Sequence, residues 1–135
     1  MRISKKADYG IRAMVYLASH HGHECVPSHE IANAMAVPYR FLGQVLYLLK
    51  LGGLTASDKG AKGGWTLTKK PSDISLLDIV EAVQGPIVML PCLVEKPACS
   101  FAETCRPHAV WSSIQDSMRG HLERTSLSSL ARKAK

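Results

Sequence analysis

Nowhere in this 135-residue sequence is there a run near the roughly 18 apolar residues a membrane-spanning helix needs, so a soluble, cytoplasmic chain with no membrane partner is expected. The opening MRISKKADYGIRAMVYLA has the lysines and apolar stretch of a signal peptide, but Asp8 and Arg12 interrupt it and no small-residue cleavage site follows. GxGxxG, Walker and Ser/His/Asp patterns are all missing, which leaves an enzyme without a recognisable starting motif. A non-enzymatic protein is expected. Tight C-x2-4-C pairs are also absent, although the chain has four cysteines.

Acidic residues are scarce where basic ones are not. Residues 1–70 hold ten Lys/Arg against four Asp/Glu, while residues 71–135 hold seven of each, so the whole net charge of +6 lies in the first half. That asymmetry suggests a polyanion-binding half and a neutral half with another task, although basic solvated faces are common.

The first half is patterned as helices. Ala7, Ile11, Met14, Val15 and Ala18 recur at helical spacing behind Ser4, a capping residue, and predict a helix from Ser4 to about Ser19. A second helix is expected over Ser28–Met35, just after Pro27. Ala36-Val37-Pro38 interrupts it, and YRFLGQVLYLLKLGG follows with Leu42, Val45, Leu46 and Leu49 in one stripe and Gly52-Gly53 as the stop. Two helices across a three-residue break make a helix-turn-helix, whose second helix would enter a DNA major groove. Opposite its apolar stripe lie Tyr39, Arg40, Gly43, Gln44, Tyr47 and Lys50. Arg40 and Gln44 are four apart, and Arg pairs bidentately with guanine as Gln does with adenine.

Two short strands, LTAS and GWTLTKK, are expected on either side of DKGAKG, a tip carrying Lys59, Lys62 and two glycines, with Gly64 next to it. Such a wing can lay lysine charge and free backbone N–H groups against phosphates, and glycines allow close approach. Beyond it, Ser75-Leu76-Leu77-Asp78 matches a capping box and predicts a helix to about Gln84, ended by Gly85-Pro86. Trp111, Ile114, Met118 and Leu122 predict a long helix from about His108 to Arg124.

Between these last two helices lies PCLVEKPACSFAETCRPH, with Cys92, Cys99 and Cys105 spaced C-x6-C-x5-C. In a reducing cytosol a disulfide knot is disfavoured. The spacing is wider than the tight pairs of structural zinc sites and suits a loop wrapped around a larger object, such as an iron–sulfur cluster. Zinc, a thiol redox switch and inert packing remain open. The run SHHGHEC, with His20, His21, His23 and Cys25, lacks a converging constellation and reads as an exposed turn beside a small buried cysteine.

In order and content, the MRISKKADYGIRAMVYLA helix, EIANAMAVPYRFLGQVLYLLKLGGL, the DKGAKGGWTL wing, ISLLDIVEAVQG and the cysteine loop resemble the bacterial winged-helix iron–sulfur transcriptional regulators, the family that includes IscR, NsrR and RirA. Two positions depart from it: Gly43 stands where relatives often carry glutamate, and Trp65 where they usually carry tyrosine. The resemblance implies a mainly α fold with a small β-wing, a winged helix-turn-helix with a cysteine loop and a long C-terminal dimerisation helix. Its divisions would be a DNA-binding region over 1–85, a cluster-binding loop over 86–107, and a dimerisation helix with tail over 108–135.

The same resemblance implies a homodimeric repressor on a palindromic operator in double-stranded DNA. Ser28, Tyr39, Arg40, Gln44 and Lys50 would meet the DNA together with Lys59, Lys62, Gly63, Gly64 and Trp65 of the wing. Cys92, Cys99 and Cys105 would ligate the cluster, completed either by Asp8 in a [4Fe–4S] centre, the preferred assignment, or by His108 in a [2Fe–2S] centre. The signal would be nitric oxide, iron or redox state. A zinc-bearing or thiol-switched regulator is the nearer alternative, and an iron–sulfur electron carrier the more distant one.

Overall fold

Helix α1, Lys5–Ser19, starts where its sequence signal placed it: Ser4 Oγ accepts from Ala7 N at 3.0 Å and satisfies one of the free N–H groups of the first turn. The computed structural model describes residues 2–60, 63–93 and 104–133. Its further elements are α2 (Ser28–Met35), α3 (Tyr39–Leu51), β1 (Thr55–Asp58), β2 (Gly64–Leu67), α4 (Leu76–Gln84), α5 (Arg106–Arg124) and α6 (Leu127–Lys133). Short 3-10 turns occupy Pro71–Asp73 and Pro91–Leu93.

The break between α2 and α3 is made by Ala36, a non-glycine residue in the left-handed region at φ +55°, a conformation unfavourable by about 1–2 kcal/mol for an L-residue. Val37 compensates by burying its side chain in the core, and Pro38 sets the entry to α3. Leu42, Val45, Leu46 and Leu49 of α3 are fully buried, each stabilising the fold by about 1.5–3 kcal/mol. They meet Ala13, Met14 and Leu17 of α1 in one core. The packing of α3 on α4 is close: a Cβ on Gly52 would lie 2.8 Å from Ala82 Cβ.

The wing is an antiparallel pair with Thr55 opposite Leu67 and Asp58 opposite Gly64. Its outer side is paired as well, because Trp65 N donates to Val26 O at 2.8 Å and Val26 N to Trp65 O at 3.0 Å. That isolated bridge explains Gly64, where a Cβ would fall 2.4 Å from Val26 O. Thr55 Oγ1 donates to Leu46 O at 3.1 Å and anchors the wing to α3.

The Ser75–Asp78 capping box is present at 2.9 and 3.0 Å and opens α4. Helix α5 begins two residues earlier than the sequence pattern suggested, so His108 sits inside its first turn. Pro107 explains this, since proline is well suited to a first turn whose N–H groups have no helical acceptor. Helix α6 was not foreseen. It returns to α1 and places Leu127 in the main core, while Leu76 N donates to Thr125 O and Leu127 N to Ile74 O, both at 2.8 Å. A second, smaller cluster of Ala7, Leu77, Val80 and Ile87 receives Met118 and Leu122 of α5.

Candidate nucleic-acid interface and cysteine site

The buried stripe of α3 turns the opposite face to solvent, and Tyr39, Arg40, Gln44, Tyr47 and Lys50 are all exposed there. Tyr39 at 63% and Tyr47 at 55% exposure are large aromatics that the core does not use. The Arg40 guanidinium lies over the Phe41 ring, 4.7 Å from its centroid, and Phe41 stacks on Tyr9 of α1. This support limits the rotamers of an arginine that would otherwise be free. Ser28 Oγ, at the start of α2, reaches Tyr39 Oη at 3.5 Å, and Lys50 Nζ donates to Ser57 Oγ at 3.1 Å, linking α3 to the wing.

Gly43 shares this exposed face and has no atom within 4 Å of where a Cβ would stand. Glycine inside a helix is unfavourable by about 0.5–1 kcal/mol relative to alanine, and nothing in the fold requires it here. The wing glycines differ. A Cβ on Gly63 would lie 2.6 Å from Asp58 O, so Gly63 is needed by the hairpin itself, as Gly64 is by the approach of Val26. Lys59 is exposed at the wing tip, Trp65 is half-buried against the core, and Lys62 lies outside the described residues.

The cysteine site has two described thiols. Cys92 is half-buried within the Pro91–Leu93 turn and Cys105 is half-buried immediately before α5; both are free. Cys99 lies outside the described residues. Among the described residues no three His, Cys, Asp or Glu side chains are grouped so as to hold a metal.

The two candidate fourth ligands sit in different surroundings. His108 Nδ1, in the first turn of α5, is buried and has no hydrogen-bond partner among the described residues. Such an atom is worth about 1–3 kcal/mol of destabilisation unless something satisfies it. Asp8, on α1, pairs with Arg12 at 3.0 Å, and Arg12 Nη1 also donates to Met35 O at 3.4 Å. With side chains 42–49% exposed, that ion pair stabilises by only about 0–1 kcal/mol.

The histidine-rich turn is committed locally. The His20 ring stacks on Tyr16 with its Nδ1 2.9 Å from Tyr16 O, and the Tyr16 hydroxyl donates to Glu30 Oε2 at 2.6 Å. That bond to a carboxylate, aided by partial burial, pushes the Tyr16 pKa up to about 12. Cys25 is half-buried rather than a core residue. No helix among the described residues is long and apolar enough to cross a membrane.

With this geometry in view, similarity to known proteins is informative. The family model described as Rrf2, iron-dependent transcriptional regulator, matches residues 3–133. CymR of Bacillus subtilis is 33% identical over 132 residues, spanning 97% of this chain and 90% of its own. IscR of Photorhabdus laumondii is 29% identical over 130 residues, spanning 96% of this chain and 79% of its own.

Among solved structures, CymR, the global cysteine regulator of B. subtilis, superposes with a TM-score of 0.79 at 30% identity, covering 98% of both chains. IscR of T. potens does so at 0.77 and 27% identity, covering all of this chain and 89% of the other. The fold is thus the mainly α winged helix with a two-stranded wing, and its relatives are named as transcriptional regulators, a non-enzymatic role. Match over nearly the whole length, a helix-turn-helix and a paired wing together make this chain a member of the Rrf2 family of DNA-binding transcriptional regulators.

Proposed function

We propose that this regulator is a homodimeric repressor whose binding to a palindromic operator depends on an iron–sulfur cluster held by Cys92, Cys99 and Cys105. The observation that carries the reading is the buried, unpartnered Nδ1 of His108, three residues after Cys105. A nitrogen so placed calls for a partner, and with three thiolates it gives a donor set suited to an iron–sulfur centre. This favours His108 over Asp8 for the fourth position and, through the family resemblance, [2Fe–2S] over [4Fe–4S]. When bound, such a cluster supplies an iron with a non-thiolate ligand, the position most open to nitric oxide, oxygen or iron loss.

The chain's own residues supply the rest. On α5, Val110, Trp111 and Ile114 are 56%, 40% and 44% exposed, an apolar strip suited to a second copy. A twofold axis through that strip would set two α3 helices about one DNA turn apart, ~34 Å. The exposed Arg40 and Gln44 would read base edges, and Lys50 with Lys59 and Lys62 would neutralise phosphates. Ser28, Tyr39 and the backbone at Gly63, Gly64 and Trp65 would complete the contact.

Anaerobic purification followed by an absorption spectrum and iron and sulfide analysis tests the proposal. Brown protein containing iron and acid-labile sulfide is expected, with a spectrum altered by His108→Ala and retained by Asp8→Ala. The reverse pattern would transfer the fourth position to Asp8. Colourless protein with one zinc would overturn the cluster reading. A thiol switch is the second reading, favoured by the partial exposure of the free Cys92 and Cys105 and by likeness to a cysteine regulator. It would appear as metal-free protein whose operator affinity follows thiol oxidation.

A further inference from the structure

Residues 85–90 join α4 to the first cysteine turn without helix or strand of their own, so their backbone N–H groups depend on outside acceptors. Ile87 N donates to Glu81 Oε2 at 3.0 Å, and Met89 N donates to Gln115 Oε1 at 2.8 Å. One acceptor belongs to α4 and the other to α5. The same Glu81 oxygen accepts from Arg119 Nη1, one helical turn after Gln115, and this charged bond holds the Arg119 proton more firmly than usual. Gln115 is only 8% exposed, and Ile87 is buried beside Ala7, Leu77 and Val80. The strap is therefore pinned by a buried side chain and by hydrogen bonds to two helices.

Glu81 also begins a run of three residues with three different partners. Ala82 packs against Gly52 at the end of α3, where a Cβ would come within 2.8 Å. Val83 packs over Gly10 of α1, where a Cβ would lie 3.0 Å from Val83 Cγ2. There is no slack at either contact, and close-packed interiors pass displacement on instead of absorbing it. On the loop side, the strap leads directly to Cys92, while α5 carries Gln115, Arg119 and His108 and is preceded by Cys105. Both stems of the cysteine loop are thus gripped by one bracket, and its far side rests against the end of the helix that faces DNA.

We infer that Glu81 and Gln115 are positioning residues that couple the cysteine site to α3, transmitting a change in the loop stems to the DNA-facing surface through α4. The inference rests on the proposed cluster-dependent function and names how that site is read out. A merely structural role would lower stability or weaken both DNA-binding states alike; a coupling role changes the ratio between them.

The test compares operator affinity of protein reconstituted with iron and sulfide against the same protein after chelation, for wild type, Glu81→Ala and Gln115→Ala. Wild type is expected to show a ratio of about tenfold or more, within the usual range for coupled sites. Both variants are expected to bring it within about threefold of unity while keeping the wild-type absorbance and iron content. Faster hydrogen exchange is expected at the Ile87 amide in Glu81→Ala and at the Met89 amide in Gln115→Ala; unchanged exchange would show that the strap does not rest on these side chains and would overturn the proposal.

Released amides with a wild-type ratio would overturn the coupling. If wild type takes up no cluster, the functional reading fails by itself, and iodoacetamide alkylation of the cysteines replaces reconstitution. An alkylation effect on affinity that disappears in both variants supports the bracket. One that persists, or no effect of alkylation on wild type, overturns it.

Discussion

Protein carrying Cys92→Ala, Cys99→Ala or Cys105→Ala is expected to come out of anaerobic purification with no bound iron or sulfide, whereas Cys25→Ala keeps both. The effect should be complete because thiolates are the principal ligands of such clusters, and removing one of three leaves a site dominated by weaker donors. Cys25 belongs to a different region, next to Val26 where that residue pairs with Trp65 of the wing. Cys92 and Cys105 are half-buried and outside both core clusters, so alanine there should leave the melting temperature of the metal-free chain nearly unchanged. Iron and sulfide analysis beside thermal melts separates loss of ligation from loss of fold. Retention of the cluster in any of the three variants, or its loss in Cys25→Ala, would contradict the assignment.

Alanine at Arg40 or Gln44 is expected to weaken discrimination at particular operator base pairs by about 1–3 kcal/mol, roughly 5- to 150-fold. Both residues are exposed and neither is in the core, so the loss should come with little change in stability. Arg40 should show the larger change, because its support on Phe41 means less freedom is lost on binding. Lys59→Ala should behave differently. A phosphate contact carries no sequence information, so affinity should fall across all sequences, and the log-salt slope should shrink by about 0.9 for each contact removed per subunit. Affinity measured on single-base operator variants over a salt series distinguishes the two. Equal losses on every sequence for Arg40→Ala and Gln44→Ala would contradict base readout.

The readable parts of this chain were those set by local physics. Ser4, the Ser75–Asp78 box and the Leu42–Val45–Leu46–Leu49 stripe each declare themselves within a few residues, and the corresponding helices lie where those signals put them. The Arg106-Pro107 pair also carried a local signal for the start of α5, one that the apolar periodicity from Trp111 onward obscured.

What could not be read depends on residues far apart in sequence. Gly64 reads as the first residue of the second wing strand, and only the pairing of Val26 beyond it makes it a close-contact position. Helix α6 is seven residues long and rich in serine, and it is helical because Leu127 fills a place in a core built by α1. The bracket around residues 85–90 joins Glu81 to Arg119 and Met89 to Gln115, pairs that no spacing rule brings together. On α1, Asp8 and Arg12 are four residues apart, a helical ion-pair spacing visible in the sequence; the buried nitrogen of His108 required the fold.

The most direct measurement is the affinity of one anaerobic preparation for its operator before and after its iron is removed by chelation, at fixed salt. A change of about tenfold or more, reversed when iron and sulfide are restored, is the expected result for a cysteine site that governs DNA binding. Equal affinities in the two states, in protein shown to have carried and then lost its cluster, would contradict it.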